Sequence, residues 1–130
     1  MNILILIANG LALLTLIVHT FWGDKDLKVI EPKDNDVNKI EKWVMARGAF
    51  HIVSMDFLLA TIGLTLINFT DIFNETQNLL LQILAIYFFM YSIGFLIIVA
   101  ISKQFPKNYL KLGQWILLLI ISGLIFWGTK

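Results

Sequence analysis

Several residue types that build common functional sites are missing or rare in this chain of 130 residues. It contains no cysteine, which excludes disulfides, thiolate metal sites and cysteine nucleophiles. Its two histidines are fewer than the three or four ligands that mark most zinc sites. The sequence also lacks the Gly-x-Ser-x-Gly, P-loop, dinucleotide-binding and His-Glu-x-x-His motifs. Ordinary hydrolytic catalysis is therefore not expected.

Charge is also scarce. Only 15% of the residues are charged and the net charge is +1, so nothing indicates a nucleic-acid partner. By contrast, 58% of the residues are hydrophobic and the mean hydropathy is +0.81, which exceeds what a soluble domain of this length could bury in one core. The composition therefore predicts a membrane protein whose apolar side chains face the lipid bilayer.

Four apolar segments are long enough to cross about 30 Å of hydrocarbon as helices. They cover approximately residues 3–22, 44–67, 79–101 and 109–127. The pattern predicts an all-α fold, a single domain over residues 1–130 in which four transmembrane helices form an antiparallel bundle. We expect the first helix to end at Phe21-Trp22-Gly23, where an interfacial aromatic pair precedes a glycine helix stop. No lysine or arginine precedes Lys25, so this helix lacks the basic start of a cleaved signal.

The one sizeable polar segment, residues 24–43, alternates acids and bases. Pro32 and the Asp34-Asn35-Asp36 cluster interrupt it, and Asp36 is placed to cap a following helix. Beyond Asp36, apolar residues recur every three or four positions, which predicts an interfacial segment leading into the second helix. A solvated connecting loop with no binding role also explains the charges.

The distribution of lysine predicts the topology. Five lysines lie in residues 24–43 and further lysines lie in and beside residues 102–108, whereas the loop between the second and third helices has acids but no lysine or arginine. The positive-inside rule therefore places loops 24–43 and 102–108 in the cytoplasm and both termini outside. Small residues allow close helix contacts in membranes, and the candidates here are Ala8, Ala12, Ala60, Gly63 and Gly94.

Three basic side chains form the first candidate site. His19 lies near the cytoplasmic end of the first helix, and Arg47 and His51 lie four residues apart, on one face of the second. An antiparallel pair of helices would bring the two histidines to similar depth. Such a group suits an anionic lipid, a quinone or haem b, with the histidines as iron ligands and Arg47 beside the propionates. In the simpler interpretation, Arg47 is an ordinary cytoplasmic-side charge and the histidines make structural hydrogen bonds.

Asp56 is a second and separate candidate. It falls near the middle of the second predicted helix, where an ionised carboxylate costs at least about 2.5 kcal/mol, so we expect it to face the bundle interior. Five residues separate it from His51, a rotation of about 140° that points the two side chains in different directions. It is either a proton-coupling acid or a hydrogen-bonded residue that fixes helix packing.

Two motifs in the first half of the chain resemble a known group of proteins. His19-Thr-Phe-Trp-Gly23 is followed, after a polar loop with a proline, by Arg47-Gly-Ala-Phe-His51-Ile-Val-Ser54. This combination resembles small bacterial four-helix inner-membrane proteins with an Arg-x-x-aromatic-His motif opening the second helix. The resemblance implies a bacterial inner-membrane location and no particular activity, and Asp56 is not part of the shared pattern.

Three functions are compatible with these features. The first is a non-catalytic accessory or interaction subunit of a membrane assembly, which binds other membrane-protein subunits or further copies of itself. The second is a bundle that binds haem b, a quinone or an anionic lipid through His19, Arg47 and His51. The third is a small proton-coupled transporter that uses Asp56, an analogy of size and helix number alone.

Overall fold

The computed structural model describes residues 2–102 and 109–130. All regular secondary structure in these two ranges is helical, which confirms the predicted all-α class. The described residues form four helices, α1 (Ile3–Val29), α2 (Val37–Phe69), α3 (Gln77–Ile101) and α4 (Gln114–Gly128). Of the predicted cytoplasmic loop 102–108, all but Ser102 lies outside the described residues.

Three of the helices are long and apolar enough to cross a membrane. Helices α1, α2 and α3 have 27, 33 and 25 residues, and each contains a strongly hydrophobic window. Helix α4 is equally apolar but has only 15 residues, so it is about 22 Å long. It begins at Gln114 instead of the predicted residue 109, because residues 109–113 form turns in which the Trp115 indole donates a hydrogen bond to the Tyr109 carbonyl.

Helix α1 does not end at the predicted glycine stop. It passes from α-helix into a π-helical segment, Val18–Gly23, and continues as α-helix from Asp24 to Val29. Gly23 has right-handed helical backbone angles, φ −63° and ψ −38°, and not the left-handed angles of a helix-ending glycine. The glycine instead provides space, because a Cβ atom at this position would overlap the ring of Phe50.

Helix α2 begins where its predicted cap lies. One carboxylate oxygen of Asp36 accepts hydrogen bonds from the backbone N–H groups of Asn38 (3.0 Å) and Lys39 (3.4 Å), as an N-cap does. The segment predicted as a polar loop, residues 24–43, is helical at both ends. Only residues 30–36 within it are not helical.

One compact unit of the chain contains Met1–Asn9 and Leu64–Lys130. Two serine hydroxyls join α3 and α4 within it, since Ser92 donates to the Trp115 carbonyl and Ser122 to the Ala85 carbonyl, both at 2.7 Å. From Trp115 to Ser122 the bonded position moves seven residues forward along α4, while on α3 it moves seven residues back, from Ser92 to Ala85. These two helices therefore run antiparallel. Both helices carry side chains that are almost fully buried, among them Leu81, Phe88, Ile121 and Ile125.

Asn2 joins three helix ends in the same unit. Its side-chain oxygen accepts a hydrogen bond from the Leu4 N–H (2.9 Å) and so caps α1, while its side-chain nitrogen donates to the Gly128 carbonyl (2.9 Å) at the end of α4. Its backbone N–H donates to the side chain of Asn68 in α2 (3.0 Å). The sequence pattern did not indicate this junction, because its three parts are distant along the chain.

The second compact unit is Gly10–Gly63, which contains most of α1 and most of α2. The predicted small contact residues Ala12 and Ala60 are buried here, at 0% and 5% exposure. In the first unit Ala8 is also fully buried. The prediction for Gly94 is wrong, because it is exposed and a Cβ atom at its position would meet no atom within 4 Å.

Substitution of Asn2 is expected to separate its two roles. Asn2→Ala removes the cap and the bond to Gly128, and should lower the free energy of unfolding by about 1 kcal/mol or more. Asn2→Asp keeps the capping oxygen and should lose only part of this stability. Thermal unfolding of the purified protein in detergent measures both changes. Asn35→Ala, in the non-helical segment, is the control, and an equal loss from all three variants would contradict the assignment.

Candidate functional site

Arg47 and His51 meet at a carboxylate that belongs to the chain itself. The Arg47 guanidinium donates two hydrogen bonds to Asp24, from Nε to Oδ1 (2.7 Å) and from Nη2 to Oδ2 (3.1 Å). The Nε2 atom of His51 lies 3.0 Å from Asp24 Oδ1, and the Lys28 ammonium lies 3.0 Å from Oδ2. We call Asp24, Lys28, Arg47 and His51 the Asp24 cluster. Its acid is shielded, with 15% of the Asp24 side chain exposed.

The local helix geometry explains why these residues meet. Arg47 and His51 are four residues apart in α2 and so lie on one face. On α1, a π-helical turn takes about one residue more than an α-helical turn, so it brings residues five apart, such as His19 and Asp24, to the same side. Asp24, the first acid of the chain, therefore faces α2 although it directly follows the apolar run.

His19 lies in a separate set of contacts in the same unit. Its Nδ1 atom is 3.0 Å from the hydroxyl of Ser54, which is fully buried. Its ring stacks on Phe50, with centroids 3.8 Å apart and planes 8° from parallel, and the Phe57 ring lies nearly perpendicular to it, with centroids 5.3 Å apart. His19 is thus held by one hydrogen bond and two aromatic rings.

A third contact joins the two helices beyond the Asp24 cluster. The Trp43 indole donates a hydrogen bond to the Leu27 carbonyl (2.9 Å), and the Arg47 guanidinium carbon lies 5.3 Å from the Trp43 ring centroid. The contacting residue on α1 has a higher number at each step from His19 to Leu27, while its partner on α2 has a lower number at each step from Ser54 to Trp43. The two helices therefore form an antiparallel hairpin over this length.

The predicted basic group is only partly brought together. Arg47 and His51 share Asp24, as their spacing allowed, whereas His19 binds Ser54 and Phe50. The sequence interpretation missed Asp24 because it assigned residue 24 to a loop. Asp56 is half-buried on α2 and is not part of the Asp24 cluster.

The arrangement does not fit haem b held by all three basic residues. The group expected at the propionates, Arg47, is bidentate on Asp24, and the Nε2 atom of His51 is directed at the same carboxylate. One face of the His19 ring is covered by Phe50.

Comparison with known proteins finds no matching family model, no matching curated protein and no matching solved structure. The resemblance to small bacterial four-helix membrane proteins therefore stays a prediction.

The space at Gly23 yields a test of the hairpin. In Gly23→Ala the added methyl group must displace Phe50, whose ring is held against His19, so we expect a loss of about 1–3 kcal/mol of unfolding free energy. Gly48→Ala is the matched control, because its Cβ would meet no atom within 4 Å. Thermal unfolding in detergent should show a lower midpoint for the first variant and an unchanged or higher one for the second. Equal midpoints would contradict the close contact.

Removal of the Asp24 charge tests the cluster. Asp24→Asn leaves Arg47 and His51 without their shared carboxylate and should lower the unfolding midpoint, whereas Asp26→Asn, at an exposed position, should not. The double variant Asp24→Asn/Arg47→Gln should lose less than the sum of the two single variants, because both remove the same interaction. Strict additivity would show that the two side chains do not stabilise each other.

Proposed function

We propose that this chain is a small integral membrane protein of the bacterial inner membrane, an antiparallel bundle of four transmembrane helices that serves as a non-catalytic accessory or interaction subunit of a membrane assembly. One observation carries the proposal. The basic residues of the candidate site bind partners within the chain, while large apolar side chains are exposed on every helix.

The exposed apolar surface favours lipid and helix partners. Leu14 on α1 is 52% exposed, Leu59 on α2 67%, Ile86 on α3 62% and Trp127 on α4 64%. Soluble monomers rarely expose contiguous apolar surface on this scale. In a bilayer the same side chains contact acyl chains or pack against helices of other subunits. The polar segments between the helices of these 130 residues are short.

The lengths of the helices fit this placement. At 33 residues α2 is about 50 Å long, so it crosses the hydrocarbon and extends beyond it. With loops 24–43 and 102–108 in the cytoplasm and both termini outside, the Asp24 cluster lies at the cytoplasmic interface. Helix α4 is shorter than the hydrocarbon is thick, and local thinning of the bilayer or snorkelling of its flanking residues would accommodate it.

The other two functions have less support. A haem, quinone or lipid site built from His19, Arg47 and His51 would have to compete with Asp24 and Ser54 for the same atoms. A proton-coupled transporter would require Asp56, which is half-buried on α2, to alternate between the two sides of the membrane.

Site-specific photocrosslinking tests the subunit role. A photoreactive amino acid replaces Leu14, Leu59 or Ile86 in turn, and the full chain is produced at its natural level in membranes of its source cell. Crosslinking at one or more of these exposed positions should give a protein adduct of one defined mass, either a second copy or one other membrane protein. The same residue at Phe88, which is fully buried, is the control and should give no such adduct. Lipid adducts alone at all three exposed positions would contradict the subunit role.

A further inference from the structure

A cleft on the surface of α1 lies where the apolar part of the helix ends. It has a volume of about 420 Å³. All of its lining comes from the π-helical segment and the α-helical turn after it, namely Thr20, Phe21, Trp22, Asp24, Lys25 and Lys28. The cleft therefore combines two aromatic rings with hydroxyl, ammonium and carboxylate groups within about two turns of helix.

The hydroxyl of Thr20 in this cleft is unusual for a helical threonine. Thr15, Thr61 and Thr70 each donate a hydrogen bond to the carbonyl four residues earlier, at 2.7–2.8 Å. The Thr20 oxygen is shielded from solvent and has no hydrogen-bond partner among the described residues. Its position inside the π-helical segment accounts for the difference, because the wider turn displaces the earlier carbonyls. A buried hydroxyl without a partner favours a ligand that can accept its hydrogen bond.

Apart from the Asp24 carboxylate, the other polar groups of the cleft are donors as well. The indole N–H groups of Trp43 and Trp115 donate to backbone carbonyls, whereas the Trp22 indole, in a side chain that is 63% exposed, has no acceptor among the described residues. Lys25 and Lys28 add two positive charges at exposed positions.

The single acid of the cleft, Asp24, is already bound by Lys28, Arg47 and His51. The cleft thus offers positive charge and hydrogen-bond donors to an anion.

The position of the cleft identifies the source of that anion. The 20 residues from Ile3 to Trp22 span about 30 Å as a helix, which is the thickness of the hydrocarbon, so the cleft lies at headgroup depth. The exposed rings of Phe21 and Trp22 suit the glycerol and upper acyl region, and clustered lysines attract anionic lipids at the cytoplasmic leaflet. A free inorganic anion would gain nothing from the two rings.

We propose that this cleft binds the phosphate of an anionic phospholipid. Lys25 binds the phosphate oxygens, Thr20 and Trp22 donate hydrogen bonds to the headgroup, and the aromatic rings pack against the apolar part of the lipid. The site uses none of the residues His19, Arg47 and His51, which are held within the chain. It depends on the membrane location proposed above but not on the subunit role.

Native mass spectrometry of the purified full chain in detergent tests the site. The probes are phosphatidylglycerol and phosphatidylcholine with identical acyl chains, titrated separately. The wild-type chain should bind phosphatidylglycerol more tightly. Thr20→Val/Lys25→Gln should weaken this affinity about fivefold or more, since one lysine at a lipid surface accounts for about that factor. Lys28 is kept, because it binds Asp24.

The control variant Thr15→Val/Lys33→Gln makes the same chemical changes outside the cleft and should retain the wild-type affinity to within about twofold. Trp22→Phe, which keeps the ring and the charge but removes the N–H, should also reduce the affinity and serves as the second variant if the double variant unfolds at a lower temperature. Equal binding of both lipids by the wild type, or an equal loss in the control variant, would overturn the proposal.

Competition distinguishes a lipid from a free anion. Excess inorganic phosphate should leave bound phosphatidylglycerol in place, and complete displacement would overturn the lipid assignment. If the protein leaves membranes only in detergent and selects phosphatidylglycerol but forms no protein adducts, the lipid site stands and only the subunit role is contradicted. If the protein leaves membranes without detergent, both proposals are contradicted.

Discussion

The contact between the Asp24 carboxylate and the Arg47 guanidinium holds the extension of α1 against α2. The carboxylate has two oxygens, and Arg47, His51 and Lys28 together occupy both. Charge-assisted and bidentate hydrogen bonds of this kind fix geometry more strictly than single neutral ones. The contacts of His19 with Ser54 and Phe50 on one side, and of Trp43 with Leu27 on the other, depend on the register that this pair imposes.

The same interaction explains why a cluster of basic residues can be structural. In a protein that crosses a bilayer, cationic side chains near the apolar region need a partner or access to the headgroups. Arg47 and His51 obtain an internal partner from Asp24, so they do not require an anionic ligand. Lys25, Trp22 and Thr20 do not bind this carboxylate, and they are the groups that remain available to a lipid. The cluster and the cleft therefore adjoin on a single helix, and they share Asp24 and Lys28.

Residue patterns were sufficient for the class and for much of the helix order. The alternation of apolar runs with polar segments indicated an all-α chain, and Asp36 marked the first turn of α2 because N-capping depends on residues two and three positions away. Patterns failed where the outcome depends on distant residues. Gly23 had the composition of a helix stop, but α1 continues through it, and the ring of Phe50 occupies the space where a Cβ would lie. Gly94 had the size of a contact residue, but no helix packs closely against it.

Hydropathy and spacing alone determined that the chain is helical and apolar and that Arg47 and His51 share a face, because these properties depend on residues within one or two turns. Only the tertiary structure decided which anion these two residues bind. Asp24 lies 23 residues before Arg47, and it reaches the guanidinium because α1 continues through Gly23 and one π-helical turn changes the side on which it projects. No local sequence pattern indicates that Asp24 and Arg47 meet, because their contact depends on how α1 and α2 pack against each other.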